Sequence, residues 1–445
     1  MTSAQSLQMQ AAQAWARGDL YGADDALRTL VSTQGGATPQ TDLMTLRLAL
    51  DLLEFERAEE ALSRLRDTSG ADPQVAMAGA RLLTWQGKRD EALQLLGAAL
   101  RAAPDHPGLL ALWVTHGRDL SGETLSRAEE VAGRLPDTAP EKTGLLFPLA
   151  RHYDRAGQYD RAWALARQAN TLASAHTPPV APQALKQTLI SRAQRSLEAA
   201  QALTSAPPHD QRHVYLIGAP RTGSSLLQSI LSAHEDVDSS GERGALLPYL
   251  HEITDSAATP PPDYLTRLQA ADLSGLNRAG RTASTLIDKT THNAFIAPLI
   301  AAIHPQSVFI NVTRRPQDVA LSMLFHEFPA AFPESVSLDG ITTMLEARAG
   351  IMTLYSESVF QVHDFDFDAF TKSPETRGET LGERAQIPFN PSYLSPKNRN
   401  AAVPTFSAGQ VRQPIKPTPP EKWQRFAPFM DERVKDRLDA LAAAL

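Results

Sequence analysis

The stretch VYLIGAPRTGSSLLQSIL, which runs from Val214 to Leu231, decides the fold of the second half of the chain. It begins with β-branched, aromatic and aliphatic residues, continues through two glycines and a proline, and ends with apolar residues at helical spacing. This order predicts a strand, a tight loop and a helix. The loop has the GxxxxG spacing of a phosphate loop, but Ser224 stands where such loops carry a lysine.

The residues of this loop suit the binding of an anion. A helix that opens at Gly223 presents free backbone N–H groups and the positive end of its dipole. Ser224 and Ser225 add hydroxyl donors, and Arg221 adds a cation. The lack of the lysine disfavours a nucleoside triphosphatase and favours an anion that needs no metal. The alternative is a structural corner between strand and helix that holds no ligand.

A second candidate anion contact lies about ninety residues further on, in INVTRRPQDVALSML. Arg314 follows an apolar run, and Pro316 can start the next helix, which carries Ser322. An arginine fork can hold a phosphate through two parallel N–H bonds. The alternative is that Arg314 forms a surface ion pair and that Ser322 faces solvent.

The composition narrows the class of protein. The 445 residues are 42% hydrophobic and 21% charged, which is typical of a soluble globular chain with two or three domains. The net charge of -7 without a basic patch argues against nucleic-acid binding. The lack of cysteine excludes thiol chemistry and fits a cytoplasmic location. No signal peptide is evident, and the most apolar run, residues 295–303, is about half a membrane span.

The first half of the chain shows an internal repeat. Five helical fragments align on one small residue each, at intervals of 35, 34, 36 and 34, and these residues are Ala23, Ala58, Ala92, Ala128 and Ala162. The spacing resembles the tetratricopeptide repeat, a helix–turn–helix unit of about 34 residues that more often binds protein partners than carries chemistry. The second and fourth units lack the turn glycine. The alternative is an alanine-rich helical bundle.

After His213 the pattern changes to short apolar runs that alternate with helices. The predicted strands are residues 214–218, 285–288, 308–312 and 359–363. This alternation predicts a central parallel sheet covered on both faces. The predicted fold is therefore a tetratricopeptide-like α-solenoid with a linker helix over residues 1–205, followed by a phosphate-loop-like α/β domain over residues 206–445.

The two anion motifs resemble those of the sulfotransferases that use 3'-phosphoadenosine 5'-phosphosulfate (PAPS). The protein-tyrosine and bacterial tetratricopeptide-linked branches of this family have the loop PRSGTT, and this chain has PRTGSS, where each departure keeps a hydroxyl. The resemblance covers roughly residues 212–430. It implies that the 5'-phosphosulfate is bound by Arg221, Thr222, Gly223, Ser224 and Ser225, and that the 3'-phosphate is bound by Arg314 and Ser322.

Two more segments resemble this family. LIDKTTHNAF is similar to its DKxPxNF segment, which implies that Lys289 lies near the transferred group, although TTH replaces the usual small apolar and proline pair. FSAGQVRQPI and the later EKW are similar to the segment that closes over the cofactor. On that similarity Ser407 and Lys422 face the phosphosulfate, and Arg412 is a weaker candidate.

The candidate base lies in DVDSSGERGALLP. In the tyrosine-sulfating branch, a glutamate in a short GE segment takes the proton from the acceptor hydroxyl, and the matching residue here is Glu242. Lys289 and Arg221 would stabilise charge on the sulfuryl and leaving phosphate oxygens. The alternatives are that Glu242 caps the next helix or pairs with Arg243. His292 or His326 would then be the next candidates for the base.

The resemblance implies a sulfotransferase that moves a sulfuryl group from PAPS to a hydroxyl or amine, without a metal. A peptide or protein acceptor fits a partner-binding solenoid, while glycans and metabolites stay open. A second hypothesis is a scaffold that binds PAPS or its product without turnover, favoured only by the altered TTH segment. A third hypothesis is a small-molecule or nucleotide kinase, which Ser224 disfavours because it stands in place of the phosphate-loop lysine.

Overall fold

The computed structural model describes residues 3–17, 19–117, 122–177, 181–256, 260–329, 332–399, 411–417, 419 and 422–444. The chain divides into two units, Met1–His152 and Tyr153–Leu445. Within the described residues, no helix has both the length and the apolar character that crossing a bilayer requires.

The described part of the first unit consists of helices joined by short turns, which confirms the predicted helical first half. Consecutive helices pack in pairs, and the repeat alanines Ala23, Ala58, Ala92 and Ala128 are fully buried between them. A methyl side chain at these positions lets paired helices approach closely. The helices are α1(Ser3–Ala16), α2(Leu20–Thr33), α3(Pro39–Asp51), α4(Phe55–Ser69), α5(Pro73–Trp85), α6(Arg89–Ala102), α7(Pro107–His116), α8(Gly122–Arg134) and α9(Pro140–Arg155), the last of which crosses into the second unit.

The turn inside a repeat uses one backbone geometry whether or not a glycine is present. Gly87 and Gly157 have φ angles of 80° and 75°, and Leu53 has the same left-handed conformation with φ of 61°. In each case the next residue donates its N–H to a carbonyl five positions back, as in the helix-ending Schellman motif. The second repeat therefore keeps the turn without its glycine. Whether the units are tetratricopeptide repeats in the strict sense stays a prediction.

A five-stranded parallel sheet forms the centre of the second unit. Its order is β2-β3-β1-β4-β5, with β1(Arg212–Leu216), β2(Val237–Gly241), β3(Thr285–Asp288), β4(Val308–Thr313) and β5(His363–Asp366). The apolar residues of the strands are buried against the helices that cover them. The predicted parallel α/β fold is confirmed. The carboxyl ends of all five strands lie at one edge, where open α/β sheets bind ligands.

The last predicted strand was misplaced. It is predicted at residues 359–363, but the strand begins at His363 and continues to Asp366. Val359 is exposed, and Phe360 packs against the rings of Phe309 and Tyr355 instead of extending the sheet. In the real strand only Phe365 is buried, so the segment lacks the apolar run by which a buried parallel strand is recognised.

The helices of the second unit include two that precede the predicted domain boundary. Asn170, in the helix Tyr159–Ser174, donates a hydrogen bond to the carbonyl of Leu324 at 2.8 Å. Ser196, in the helix Pro182–Ala202, accepts one from the backbone N–H of Leu299 at 3.3 Å. The boundary at 205/206 stays a prediction. The helices are α10(Tyr159–Ser174), α11(Pro182–Ala202), α12(Ser224–Leu231), α13(Leu247–Asp255), α14(Tyr264–Arg278), α15(Ala297–Ile303), α16(Pro316–Leu324), α17(Leu338–Ser356), α18(Phe367–Lys372), α19(Pro374–Ala385) and α20(Glu432–Ala443).

We predict that a chain of residues 140–445 folds with near-normal stability, whereas a chain of residues 206–445 is less stable by at least about 3 kcal/mol. The shorter chain lacks α10, whose Trp163 packs on Phe426 and Phe429, and burial of one such side chain contributes about 1.5 to 3 kcal/mol. Urea unfolding followed by circular dichroism measures the difference. Equal stability of the two chains would contradict the assignment of α10 and α11 to this unit.

Candidate anion and group-transfer site

The loop between β1 and α12 bends sharply because two of its residues adopt left-handed backbone angles. Arg221 has φ of 69° and Gly223 has φ of 105°. A Cβ at Gly223 would lie 2.2 Å from the ring of Phe367, and a Cβ at Gly218 would lie 2.6 Å from the carbonyl oxygen of Val312. The two glycines therefore let the loop lie directly against β4 and against the first residue of α18.

The side chains of the loop are partly used to hold its shape. The hydroxyl of Thr222 donates to the carbonyl of Ala219 at 2.8 Å, so this residue braces the turn. Ser224 and Ser225 are buried in the first turn of α12, and no side chain caps that turn. Its N–H groups, together with the two hydroxyls, are suited to receive an anion.

The two motifs predicted to bind phosphate meet in space. The Arg221 guanidinium donates from Nε to the hydroxyl of Ser322 at 3.0 Å, and Arg314 donates from Nη1 to the carbonyl of Arg221 at 3.0 Å. Arg314 also lies 5.6 Å above the ring of Phe367 and 3.7 Å from a carboxylate oxygen of Asp368. The arginine that follows β4 thus supports the loop that follows β1.

Three cations meet at this position. Burial and, as a smaller cause, the neighbouring charge of Arg314 lower the pKa of Arg221 to about 10. Burial also lowers the pKa of Arg314 and of Lys422, and Lys422 is affected by the charges of both arginines. Buried like charges are costly unless an opposite charge accompanies them. Carboxylates offset part of this cost, since Asp318 and Asp368 act on Arg314 and Asp154 acts on Lys422. Arg221 is affected by the opposite charge of Glu242, and an anion bound beside Arg221 would be favourable.

Glu242 and Lys289 form an ion pair at the carboxyl ends of β2 and β3. The ammonium of Lys289 donates to Glu242 Oε1, and the backbone N–H of Lys289 donates to the carbonyl of Gly241 at 2.9 Å. The lysine side chain is 1% exposed and the glutamate side chain is 54% exposed. The charge of Glu242 also acts on Arg221. Lys289 therefore holds one carboxylate oxygen of Glu242 on the buried side, while the rest of the Glu242 side chain is accessible to solvent.

The surroundings of Glu242 differ from both structural alternatives. The next helix, α13, begins at Leu247 after Leu246, with no side-chain cap. Arg243 pairs with Asp272 instead of with its neighbour in the chain. Neither helix capping nor pairing with Arg243 describes the contacts of Glu242.

Arg348 is a site residue that the sequence analysis missed. This buried arginine of α17 donates to the carbonyl of Ile217, at the start of the loop, and to the carbonyl of Thr291 at 3.1 Å. It therefore ties the loop after β1 to the segment after β3, which makes it a positioning residue. A single arginine within the helical sequence MLEARAGIM gives no signal of this role.

The other predicted residues are His292, His326, Arg412 and Ser407. His292 stacks on Phe332 with ring centroids 4.3 Å apart, and burial lowers its pKa to about 4. His326 donates from Nδ1 to the carbonyl of Ser322 at 2.7 Å, and burial lowers the pKa of Arg412. Ser407 lies outside the described residues.

Comparison with known proteins supports a sulfotransferase domain. Residues 213–391 match the family described as the Sulfotransferase family. A protein of Aquifex aeolicus, described as uncharacterized, is 26% identical over 239 residues, which are 49% of this chain and 31% of that protein. A protein of Caenorhabditis briggsae described as "Putative protein-tyrosine sulfotransferase" is 27% identical over 135 residues, which are 26% of this chain and 45% of that protein. The chain thus spans less than half the length of these curated relatives.

Solved structures with similarity to this chain include two sulfotransferases. One is the sulfotransferase domain of the olefin synthase of Synechococcus PCC 7002, with 18% identity and a TM-score of 0.37 over 54% of this chain and 95% of that chain. The other is a sulfotransferase of Mycobacterium tuberculosis H37Rv, with 11% identity and a TM-score of 0.30 over 72% of this chain and 99% of that chain.

We predict that Arg348→Gln weakens the binding of inorganic pyrophosphate about tenfold. The substitution leaves the carbonyls of Ile217 and Thr291 without the guanidinium, and an unsatisfied buried polar group costs about 1 to 3 kcal/mol. Calorimetric titration measures the affinity. Arg437→Gln is the matched control, since this arginine contacts α17 from its exposed side through Asp339 and Glu346.

Arg348→Lys should restore part of the affinity, because an ammonium can reach one carbonyl but lacks the second arm of the fork. The role of Arg348 in positioning is wrong if Arg348→Gln and Arg437→Gln bind pyrophosphate equally well.

Proposed function

We propose that this chain is a sulfotransferase that moves a sulfuryl group from PAPS to a hydroxyl or amine. The observation that carries the proposal is the meeting of Arg221, Arg314 and Lys422 beside the loop at the carboxyl edge of the sheet. Burial lowers the pKa of all three side chains, the charge of Arg314 also lowers the pKa of Arg221 and of Lys422, and a bound phosphate ester would act against both effects. Arg221 and Arg314 fall within the residues that match the sulfotransferase family.

The residues of the site fit PAPS. The uncapped first turn of α12, with Ser224 and Ser225, suits the phosphosulfate, and Arg314 with Ser322 suits the 3'-phosphate. Arg221 contacts Ser322, and Arg314 holds the backbone of the loop that contains Arg221. The phosphosulfate and the 3'-phosphate would therefore lie near one another. When bound, PAPS supplies the sulfuryl group and a phosphate leaving group. The proposal includes no metal in the chemistry.

In the proposed reaction, Glu242 acts as the base. Its carboxylate takes the proton of the acceptor hydroxyl while the acceptor oxygen forms a bond to sulfur. The bond between sulfur and the bridging phosphate oxygen breaks, and its electron pair stays on the phosphate. Lys289 and Arg221 stabilise the negative charge that develops on these oxygens.

The ion pair between Lys289 and Glu242 supports this division of roles. Lys289 is buried and keeps one oxygen of Glu242 in place, whereas the exposed part of the carboxylate is open to an acceptor. A base has to reach within about 2.6 to 3.2 Å of the proton-bearing atom, and the 54% exposed side chain of Glu242 is accessible for such an approach.

The acceptor belongs to the same proposal. A hydroxyl on a peptide or protein is supported by the description of the Caenorhabditis briggsae relative and by the helical pairs of the first unit, which suit a partner. A cytoplasmic location, which the lack of cysteine favours, is also part of the proposal. Transfer of labelled sulfate from PAPS to a lysate, followed by separation of protein from small molecules, identifies the acceptor class.

We predict that 3',5'-phosphoadenosine (PAP) at one hundred times its dissociation constant stabilises the protein by about 2.7 kcal/mol. Arg314→Ala should weaken PAP binding about tenfold to a hundredfold, because a charge-assisted hydrogen bond contributes about 1.5 to 3 kcal/mol. Thermal unfolding and calorimetric titration measure the two effects. Arg377→Ala, an exposed arginine of α19, is the control.

Two results would contradict this function. Stabilisation by ATP with magnesium, without any by PAP or PAPS, would exclude the sulfotransferase and favour a kinase. Stabilisation by PAP without transfer of labelled sulfate to any acceptor pool would favour the scaffold that binds the nucleotide without turnover.

We predict that Glu242→Gln lowers turnover by about 10² to 10⁴-fold while PAP affinity and the unfolding midpoint change little. The amide keeps the size of the side chain but cannot accept the proton. Sulfate transfer by the variant is compared with that of Glu235→Gln, an exposed glutamate in the turn before β2. Near-normal turnover in a folded Glu242→Gln protein would end its assignment as the base.

A further inference from the structure

Three histidines meet at the amino-terminal edge of the sheet, away from the anion site. His213 is the second residue of β1, His209 lies in the segment that enters β1, and His304 ends α15. Each residue offers one ring nitrogen, and these three atoms all lie within 4.8 Å of one another. His213 and His304 are buried, and His209 is half-buried.

A buried carboxylate orients one of these rings. The Nε2 atom of His304 lies 3.3 Å from an oxygen of Asp272, which also pairs with Arg243. A carboxylate at this position favours the proton on Nε2 and leaves the lone pair on Nδ1. The Nδ1 atom of His304 lies 2.9 Å from Nε2 of His209, inside the cluster. Ligating histidines in proteins are commonly held by a carboxylate in this way.

Three ring nitrogens of the cluster are buried without a hydrogen-bond partner among the described residues. They are Nε2 of His213, Nδ1 of His209, and Nε2 of His304, whose 3.3 Å approach to Asp272 is an ion-pair contact without hydrogen-bond geometry. The other nitrogen of His213, Nδ1, lies 3.2 Å from the hydroxyl of Tyr215. Buried polar atoms are nearly always paired, so an unpaired imidazole nitrogen inside a histidine cluster calls for a partner. A metal ion would be such a partner for Nε2 of His213.

The backbone around the cluster is fixed before any ion binds. The amide of Gln269 donates to the carbonyls of Pro207 and Ile303, at 2.8 Å and 2.6 Å. Pro207 lies two residues before His209, and Ile303 directly precedes His304. One side chain of α14 therefore holds the two chain segments that lead to the cluster. The N–H of Ala206 also donates to the carbonyl of Ala302 at 2.8 Å.

We propose that His209, His213 and His304 form a structural site for a divalent transition-metal ion of the zinc class, with Asp272 orienting His304. Imidazole nitrogen suits zinc, nickel and copper, whereas calcium and magnesium prefer oxygen ligands. Three nitrogens leave the fourth tetrahedral position to water, which can enter beside the half-buried His209. The ion would link the segment that enters β1 to the end of α15.

Closing the site requires only local movement. Nitrogens bound to one tetrahedral zinc are about 3.3 Å apart, given bonds of about 2.0 to 2.1 Å, so side chains must shift by on the order of 1 Å. The rings of His213 and His304 stack with centroids 4.0 Å apart and must tilt. His209 must carry its proton on Nδ1, because its Nε2 becomes the ligand. The ion then replaces the hydrogen bond between His209 and His304.

The test uses the full chain without an affinity tag, after treatment with a chelator. Zn²⁺ is titrated in competition with a chromogenic chelator, for the wild type, for His209→Gln and for His363→Gln. His363 is an exposed histidine of β5 and serves as the matched control. We expect one Zn²⁺ per chain with a micromolar or lower dissociation constant, at least a tenfold increase of that constant in His209→Gln, and no change in His363→Gln.

Zn²⁺ should also raise the unfolding midpoint of the wild type and of His363→Gln, but not that of His209→Gln. A second measurement needs no variant: Co²⁺ bound to the wild type should show the intense visible bands of a tetrahedral nitrogen-rich site. The site is ruled out if the wild type binds no stoichiometric Zn²⁺, if His209→Gln binds it equally well, or if bound Co²⁺ has the weak spectrum of an octahedral aqua ion.

Discussion

Parallel pairing of β1 with β3 on one side and with β4 on the other is the constraint on which the candidate site depends. It brings together the residues that follow four different strands, which are Arg221, Glu242, Lys289 and Arg314. None of these residues is near another in the sequence, so the hydrogen-bonded register of the sheet is what aligns them. A slip of one residue would turn alternate side chains to the opposite face and separate the groups.

The same arrangement carries a cost in the free energy of folding. Arg221 combines a left-handed backbone angle with burial beside the like charge of Arg314, and its charge also acts on Lys422. Both the backbone strain and the like charges oppose the folded state. The cost is offset by neighbouring groups that are fixed by the fold: Asp368 lies near Arg314, and Arg348 holds the start of the loop. Perturbed pKa values cluster at functional sites in proteins, which favours this edge of the sheet as a binding site.

Local sequence predicted the parts of the fold that rest on local signals. The strand and loop after Val214 have apolar and glycine patterns typical of a strand–loop–helix unit, and the period of the first half indicates its paired helices. The strand at 363–366 gave no such signal, because three of its four residues are polar and its pairing with β4 decides its conformation. Arg348 was missed because its carbonyl partners are 57 and 131 residues away in the chain.

The two candidate sites of the second unit lie at opposite edges of the sheet, and β1 takes part in both. The anion loop leaves the carboxyl end of this strand, and His213 lies near its amino end, only four residues before Ile217. A central parallel strand receives its chain from a connection instead of a hairpin, so the entering segment has no neighbouring strand to fix it. Contacts of that segment with α14 and α15 take over this task. A histidine site at that point would anchor the strand from behind, and the position of the anion loop depends on how firmly β1 is held.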